Sequence, residues 1–396
     1  MRLASRVGQI EPFWVMECAK TADEIARSPA CDPARGGRPM LYLNIGEPDL
    51  TAPPAVVAAA QACLADGRTQ YTPATGLPAL RQAIADWYRQ RDGLEIDPAR
   101  IVVTAGASAA LQLLCAALVE PGDELLMPDP SYPCNRHFVS AAGGTARLLP
   151  AGAAQRFQLD AASVAEAWGP ATRGVMLASP SNPTGTSIEP QELARIVHEV
   201  RQHGGWCIVD EIYQALGYDS QTARSAAALG EDVIVINSFS KYFGMTGWRL
   251  GWLLLPPALV PAIEKLAQNL YICASSIAQH AALACFTPET LQECERRRLV
   301  LQQRRDYIVP ALQELGLHVP VMPDGAFYVW FDVSAHAPDS WSFCFDMMQR
   351  AHVALTPGRD FGSAETARYA RLSFASSMEQ LTEAVARLRQ TLRPGG

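Results

Sequence analysis

Short apolar runs alternating with helical segments predict an α/β chain. The expected architecture is a three-layer α/β/α large domain around a mostly parallel sheet, with a smaller α+β domain built from both termini. Three observations carry this. Runs such as Ile101–Thr104, Gly174–Ala178, Trp206–Val209 and Asp232–Asn237 are apolar nearly throughout, as strands buried on both faces are. Alanine-rich or amphipathic segments such as Pro54–Ala65, Arg81–Arg91 and Glu189–His203 alternate with strand-like runs along the chain. Small or turn-forming residues follow several strands, where open α/β sheets place their ligands.

Composition sets outer limits. The chain has 396 residues, 49% of them hydrophobic, and a net charge of −7. That length supports a large core and more than one domain. No basic block suggests nucleic acid. The first residues lack the apolar stretch of a signal peptide, and no apolar run reaches membrane-spanning length. The ten cysteines include no C-x-x-C pair, and several lie in apolar helical runs. They read as reduced thiols in a cytoplasmic protein. Histidine spacing gives no metal site.

Taken in order, Pro12 to Arg27 reads as a helix and Met40 to Ile45 as a strand. Gly46-Glu47-Pro48-Asp49 then turns sharply, with Gly46 free of a side chain where a ligand could approach. After the helix Pro54–Ala65, the loop Tyr71 to Pro78 enters the next helix. Strand Ile101–Thr104 leads through Ala105-Gly106-Ala107-Ser108 into a helix expected from Ala109 to Leu118. A helix start after small residues is an anion cradle, so Gly106, Ala107 and Ser108 are candidate phosphate ligands. As a plain alternative, Ser108 is only an N-cap. Strand Glu124–Met127 ends at Asp129-Pro130-Ser131-Tyr132-Pro133. Strand Gly174–Ala178 ends at Ser179-Pro180-Ser181-Asn182-Pro183. Strand Trp206–Val209 ends at Asp210-Glu211-Ile212-Tyr213. A carboxylate there is costly unless paired, which singles out Asp210.

Asp232–Asn237 is followed by Ser238-Phe239-Ser240-Lys241-Tyr242-Phe243-Gly244-Met245-Thr246-Gly247-Trp248-Arg249-Leu250-Gly251. A lysine just past a buried strand is partly desolvated, which favours its neutral amine. That amine is a nucleophile able to form a Schiff base with a carbonyl. Ser238, Ser240 and Arg249 suit a phosphate. An amine beside phosphate ligands suggests pyridoxal 5'-phosphate, an aldehyde that carries a phosphate. Beyond it, helices are expected at Pro261–Leu270, Ser275–Phe286, Thr290–Leu315, Trp341–Ala351 and Met378–Leu392. Strands are expected at Gly325–Phe331, Val353–Thr356 and Tyr369–Ala375.

The pattern S-x-S-K-x-x-x-M-T-G-W-R-L-G-W resembles the cofactor-lysine motif of the class I/II aminotransferases, fold type I pyridoxal-phosphate enzymes like aspartate aminotransferase. The segments G-E-P-D, Y-T-P-A-T-G-L-P, S-P-S-N-P-T-G and A-R-L-S-F-A match the same family in order, from Gly46 to Arg371. The resemblance implies a homodimer with shared active sites, in which Tyr71 reaches the cofactor phosphate of the other subunit. It implies that Tyr132 stacks on the pyridine ring and that Asn182 and Tyr213 hold the phenolic oxygen. Asp210 would pair with the ring nitrogen, and Gly46, Asn182 and Arg371 would bind the substrate. It also implies cis bonds at Asp129–Pro130 and Asn182–Pro183. Ser363-Ala364-Glu365-Thr366-Ala367 departs from the family's glycine-containing loop.

The implied reaction moves an amino group from an amino acid to a 2-oxo acid, with Lys241 as cofactor anchor and general base and Asp210 and Tyr213 assisting. The domains would be 46–285 for the cofactor, and 1–45 with 286–396 for the smaller unit. A carbon–sulfur β-lyase and an aminocyclopropane-carboxylate-synthase-like enzyme share the scaffold and stay open at this point. A regulatory module would need an added DNA-binding domain. Dicarboxylate substrates need a second cation, and the apolar segment Ile10-Glu11-Pro12-Phe13-Trp14 offers no convincing one, so they are disfavoured. Phe13 and Trp14 either line a pocket for neutral or aromatic side chains or pack their helix.

Overall fold

The computed structural model describes residues 2–12, 14–219 and 224–392. Twelve strands are β1 (Leu41–Tyr42), β2 (Ile101–Thr104), β3 (Glu124–Asp129), β4 (Thr145–Pro150), β5 (Thr172–Ala178), β6 (Trp206–Asp210), β7 (Ile234–Ser238), β8 (Gly251–Leu254), β9 (Tyr328–Asp332), β10 (Val353–Ala354), β11 (Thr356–Pro357) and β12 (Tyr369–Ser373). Seven form one sheet in the order β2-β8-β7-β6-β5-β3-β4. Alternate residues of its strands enter opposite cores. Val103, Val175, Val209 and Val235 pack on one face; Val102, Met176, Ile208 and Ile234 pack on the other. Burial of both faces is why the sequence shows unbroken apolar runs rather than polar alternation.

One strand was not anticipated. Leu250 to Leu255 is apolar in sequence, but β8 runs antiparallel to both β7 and β2. A parallel return would need a crossover, usually a helix. The intervening stretch holds the Lys241 loop and a single 3-10 turn, Thr246–Trp248, so the chain doubles straight back. The other sheet neighbours, from β7 to β4, pair parallel.

The ends of the chain meet in a second region. β11, β12 and β9 form an antiparallel sheet, and β1 pairs parallel with β10 through Leu41↔Val353. The helix Trp14–Ala26 buries Val15, Cys18 and Ala22. Cys18 and Ala22 share a cluster with Met40, Met348 and Ala354. The helix Pro288–Glu314 links this region to the large sheet, and Met378–Leu392 closes the chain.

Three other expectations shift. The helix after β2 starts at Gly106 rather than Ala109, so Ser108 lies inside its first turn and is not the N-cap. The run 353–356 divides into β10 and β11. The seven-residue helix Ala161–Ala167, capped by Asp160 accepting from Ser163 N–H, is too short to show a helical period. Cis bonds occur at both expected prolines and also at Ser179–Pro180. The departing loop is clasped by Asp129, whose Oδ2 accepts from Ser363 N–H at 2.9 Å and Ala364 N–H at 3.0 Å. A Cβ on Gly362 would lie 1.7 Å from Asp129 Oδ1, so only glycine fits this contact. Among the described residues, no helix is long and apolar enough to cross a membrane.

Candidate active site

β2, β5, β6 and β7 point the same way, because β2 and β7 are each antiparallel to β8. Their C-terminal ends therefore open on one edge. There a cavity of about 350 Å³ is lined by Gly46, Ala107, Ser108, Tyr132, Asn182, Asp210, Tyr213, Ser238, Lys241, Arg249 and Arg371. Segments more than 300 residues apart in sequence are thus brought to one place, as the 2.8 Å bond from Arg371 Nη2 to the Asn44 carbonyl shows.

One end of the cavity is built for an anion. The helix Gly106–Leu118 begins at its rim, and its first N–H groups have no acceptor within the helix. Ser238 Oγ bonds Ser240 Oγ at 2.9 Å and receives the Ser240 N–H at 3.0 Å. Arg249 is held in the left-handed region (φ 53) with Nη1 donating to the Thr246 carbonyl at 3.0 Å. Gly106 itself has φ +79, and a Cβ there would sit 2.7 Å from Arg249 Nη2.

Lys241 lies in the middle. Its Nζ donates to the Gly46 carbonyl at 2.7 Å, which explains what the turn after β1 contributes. Burial pulls the amine down to about 8; Glu47 opposes this, while Arg371 and Arg249 add to it. Beneath it, burial pushes the Asp210 carboxyl up to about 6, offset by the Ile212 N–H at 3.1 Å and by Lys241. A buried carboxyl so poorly matched by protein cations suits a cationic ligand atom.

At the other end, Arg371 is almost wholly buried on β12, the central strand of its sheet and not an edge. Nη1 donates to Asn182 Oδ1 at 2.8 Å. The guanidinium lies 4.5 Å from the Tyr328 ring and 5.1 Å from that of Phe361. Its Nε is buried without a hydrogen-bond partner among the described residues, an opening for a carboxylate. Tyr213 and Tyr328 share a hydroxyl–hydroxyl bond of 2.8 Å. Burial raises both phenols, and it raises Tyr132 with help from Cys134.

Some candidates stand apart. Tyr71 is 78% exposed and does not line this cavity. Trp14 packs edge-on against Trp341, with Arg359 over both rings at 4.7 and 4.6 Å, so it serves helix packing. Phe13 lies outside the described residues. Glu211 is off the cavity; Ser225 Oγ and the Ala226 N–H bond its carboxyl at 2.9 and 2.5 Å, and burial lifts it to about 8. Sequence reasoning passed over Tyr328, a hydroxyl inside an apolar strand, and over the wall residues Val15, Met16, Ala19 and Ile45.

A sequence profile of the family "Aminotransferase class I and II" matches residues 38–388. The chain belongs to this family. The aminotransferase is 38% identical to the valine–pyruvate aminotransferase of Mycobacterium tuberculosis, over 98% of this chain and 97% of the relative. It is 32% identical to the aspartate aminotransferase of Geobacillus stearothermophilus, over 98% of each chain. Among solved structures, the aspartate aminotransferase of Thermus thermophilus with maleate superimposes with a TM-score of 0.90 at 32% identity, covering 99% of this chain and 100% of that one. The enzyme is therefore a pyridoxal-phosphate-dependent transaminase. The residues present suit that cofactor: the glycine-floored cradle would accept a phosphate, the Lys241 amine an aldehyde, and the buried Asp210 carboxyl a cationic ring nitrogen. Gly106→Ala is expected to weaken cofactor binding roughly 10- to 100-fold, through positive-φ strain and the clash with Arg249. Titration of pyridoxal phosphate into the cofactor-free variant checks this; unchanged affinity would refute the cradle.

Proposed function

We propose that this aminotransferase takes a neutral, mainly apolar amino acid as donor and passes its amino group to a 2-oxo acid. One observation carries the reading. The cavity wall away from the anion end is Val15, Met16, Ala19 and Ile45, and the only lysine or arginine side chains lining the cavity among the described residues are Lys241, Arg249 and Arg371. Each of these already has a task, so among the described lining residues no cation is left over for a second substrate carboxylate. The likeness to a valine–pyruvate aminotransferase supports the same donor class.

In this reading Ser238, Ser240, Arg249 and the first N–H groups after Ala105 hold the cofactor phosphate. Tyr132 covers the ring, and Asn182 and Tyr213 flank its phenolic oxygen. Asp210, ionised when paired, keeps the ring nitrogen protonated. Pyridoxal phosphate supplies the electron sink and carries the amino group between the two half-reactions. Arg371 forks onto the substrate α-carboxylate with Asn182 beside it. Lys241, its amine pulled down to about 8 by burial and then released from its anchoring role, takes the proton from the substrate Cα.

The proposed domain division, 46–285 against 1–45 with 286–396, is supported by the separation of the sheets. A homodimer is supported by the exposed side chains of Tyr71, Val57, Leu64, Leu270 and Ile272. Tyr71 would complete the phosphate site of the second subunit. Ten unpaired cysteines agree with a cytoplasmic setting.

The test is a half-reaction. The loaded enzyme is mixed with single amino acids, without oxo acid, and bleaching of the visible cofactor band is followed. Valine, leucine, alanine or phenylalanine should react at least about tenfold faster than aspartate or glutamate, the scale that an unmatched buried charge imposes. Aspartate as the fastest donor would sink the assignment.

A further inference from the structure

We propose that Tyr328 is a positioning residue that couples the substrate-carboxylate arginine, Arg371, to the cofactor-oxygen tyrosine, Tyr213, through a single side chain. The inference rests on the roles proposed above for those two residues.

Tyr328 opens β9, where Val329, Trp330 and Phe331 follow and Phe327 precedes. Packing alone would be met by a phenylalanine at this point. A fully buried hydroxyl costs free energy unless it is bonded, so its presence calls for a partner. It has one: the 2.8 Å bond to the Tyr213 hydroxyl. The two rings meet nearly perpendicular at 5.7 Å, which fixes the angle at which the hydroxyls meet. On its other side, the ring of Tyr328 lies 4.5 Å from the Arg371 guanidinium. The backbone closes the arrangement. A Cβ on Gly46 would fall 2.8 Å from the Tyr328 hydroxyl, and the same Gly46 offers its carbonyl to Lys241.

The consequence is directional. When Tyr213 donates its proton to the cofactor's phenolic oxygen, its own oxygen is left to accept, and the Tyr328 O–H is placed to donate to it. Donation in series strengthens the outer bond. It also fixes the rotor of Tyr213, which would otherwise be free. A stronger bond to the phenolic oxygen stabilises its negative charge without a proton on the neighbouring Lys241 nitrogen. The pH midpoint of the visible band of the lysine-bound cofactor is thereby lowered. The charged and titratable groups facing the pair are Arg371 and Tyr132, with Lys241 5.8 Å from the Tyr213 ring. Tyr328→Phe leaves all three of these side chains in place.

Tyr328→Phe keeps the ring and deletes the hydroxyl. In the loaded enzyme it should raise the spectral midpoint by about half a unit to one unit, the scale of one hydrogen bond. Affinity for isovalerate, an unreactive carboxylate read by the same spectrum, should stay within about twofold, because the ring under Arg371 remains. Tyr328→Leu should weaken isovalerate by roughly fivefold or more. The control is Tyr213→Phe. In that background Tyr328→Phe should move the midpoint no further, since the hydroxyl acts through Tyr213. A midpoint that Tyr213→Phe shifts and Tyr328→Phe leaves unmoved overturns the coupling. A midpoint that Tyr213→Phe also leaves unmoved overturns the assigned role of Tyr213 itself, and the coupling with it. A drop in melting temperature without a spectral shift would make Tyr328 a core residue only, and would equally overturn it.

Discussion

Lys241→Ala should lower turnover by on the order of 10⁴-fold or more while leaving the fold intact. Two losses combine. In the proposed mechanism the amine that anchors the cofactor is gone, and so is the base that takes the Cα proton, a role that alone is worth about 10²–10⁴-fold. The side chain is nearly buried but makes a single hydrogen bond, to the Gly46 carbonyl, so its removal disturbs little else. Cofactor should then come away on dialysis, and its visible band should revert to that of the free aldehyde. Circular dichroism should match the parent protein. Added methylamine or ethylamine should restore part of the activity, because a small free amine can enter the space left by the side chain. Turnover within about tenfold of the parent, less than one positioned base contributes, would dismiss Lys241 from the chemistry.

Replacing Arg371 by methionine should reduce kcat/KM roughly 30- to 3,000-fold, the range for deleting one member of a buried, hydrogen-bonded charge pair. The loss has two sources. The proposed fork to the substrate carboxylate is removed, and the Asn182 amide oxygen and Asn44 carbonyl lose the donors 2.8 Å away. Arg371→Lys should recover little, since a point charge cannot reach Asn182, Asn44 and a carboxylate together. Binding of isovalerate should weaken in parallel with kcat/KM, while the enzyme still takes up pyridoxal phosphate. An unchanged isovalerate affinity would move the carboxylate site elsewhere.

Much of this was legible in the chain because burial leaves a plain mark. β2, β5, β6 and β7 are apolar on both faces, and no other element type explains such short unbroken runs. Lys241 and Asp210 announce themselves as ionisable groups directly after those runs. Other features are silent for physical reasons. The direction of β8 depends on the lack of a crossover, not on its own residues, which would suit either orientation. The helix Ala161–Ala167 spans too few turns to show a period. Trp14 and Tyr71 are both large and apolar, and only the folded chain separates one packed against Trp341 from one left exposed. Tyr328 looks like core in a strand of aromatics; its hydroxyl gains meaning only once Tyr213, 115 residues earlier, is opposite it.

The pairing of β1 with β10 also dictates when the molecule can be completed. Thr356 and Asn44, joined by a 3.2 Å bond, are 312 residues apart. At about 5–20 residues per second, a ribosome takes roughly 15 to 60 s to make the partner that Leu41 and the helix Trp14–Ala26 require. Through that interval the face carrying Val15, Cys18 and Ala22 lacks most of its native partners, among them Trp330, Met348, Ala354 and Phe361. The seven-stranded sheet draws its strands from residues 101–254 and can form first. The nascent chain is therefore half assembled, with a sticky amphipathic leader, and is exposed to chaperones and proteases at that stage. Because Val15, Met16 and Ala19 also line the cavity, its wall stays incomplete until this late pairing forms.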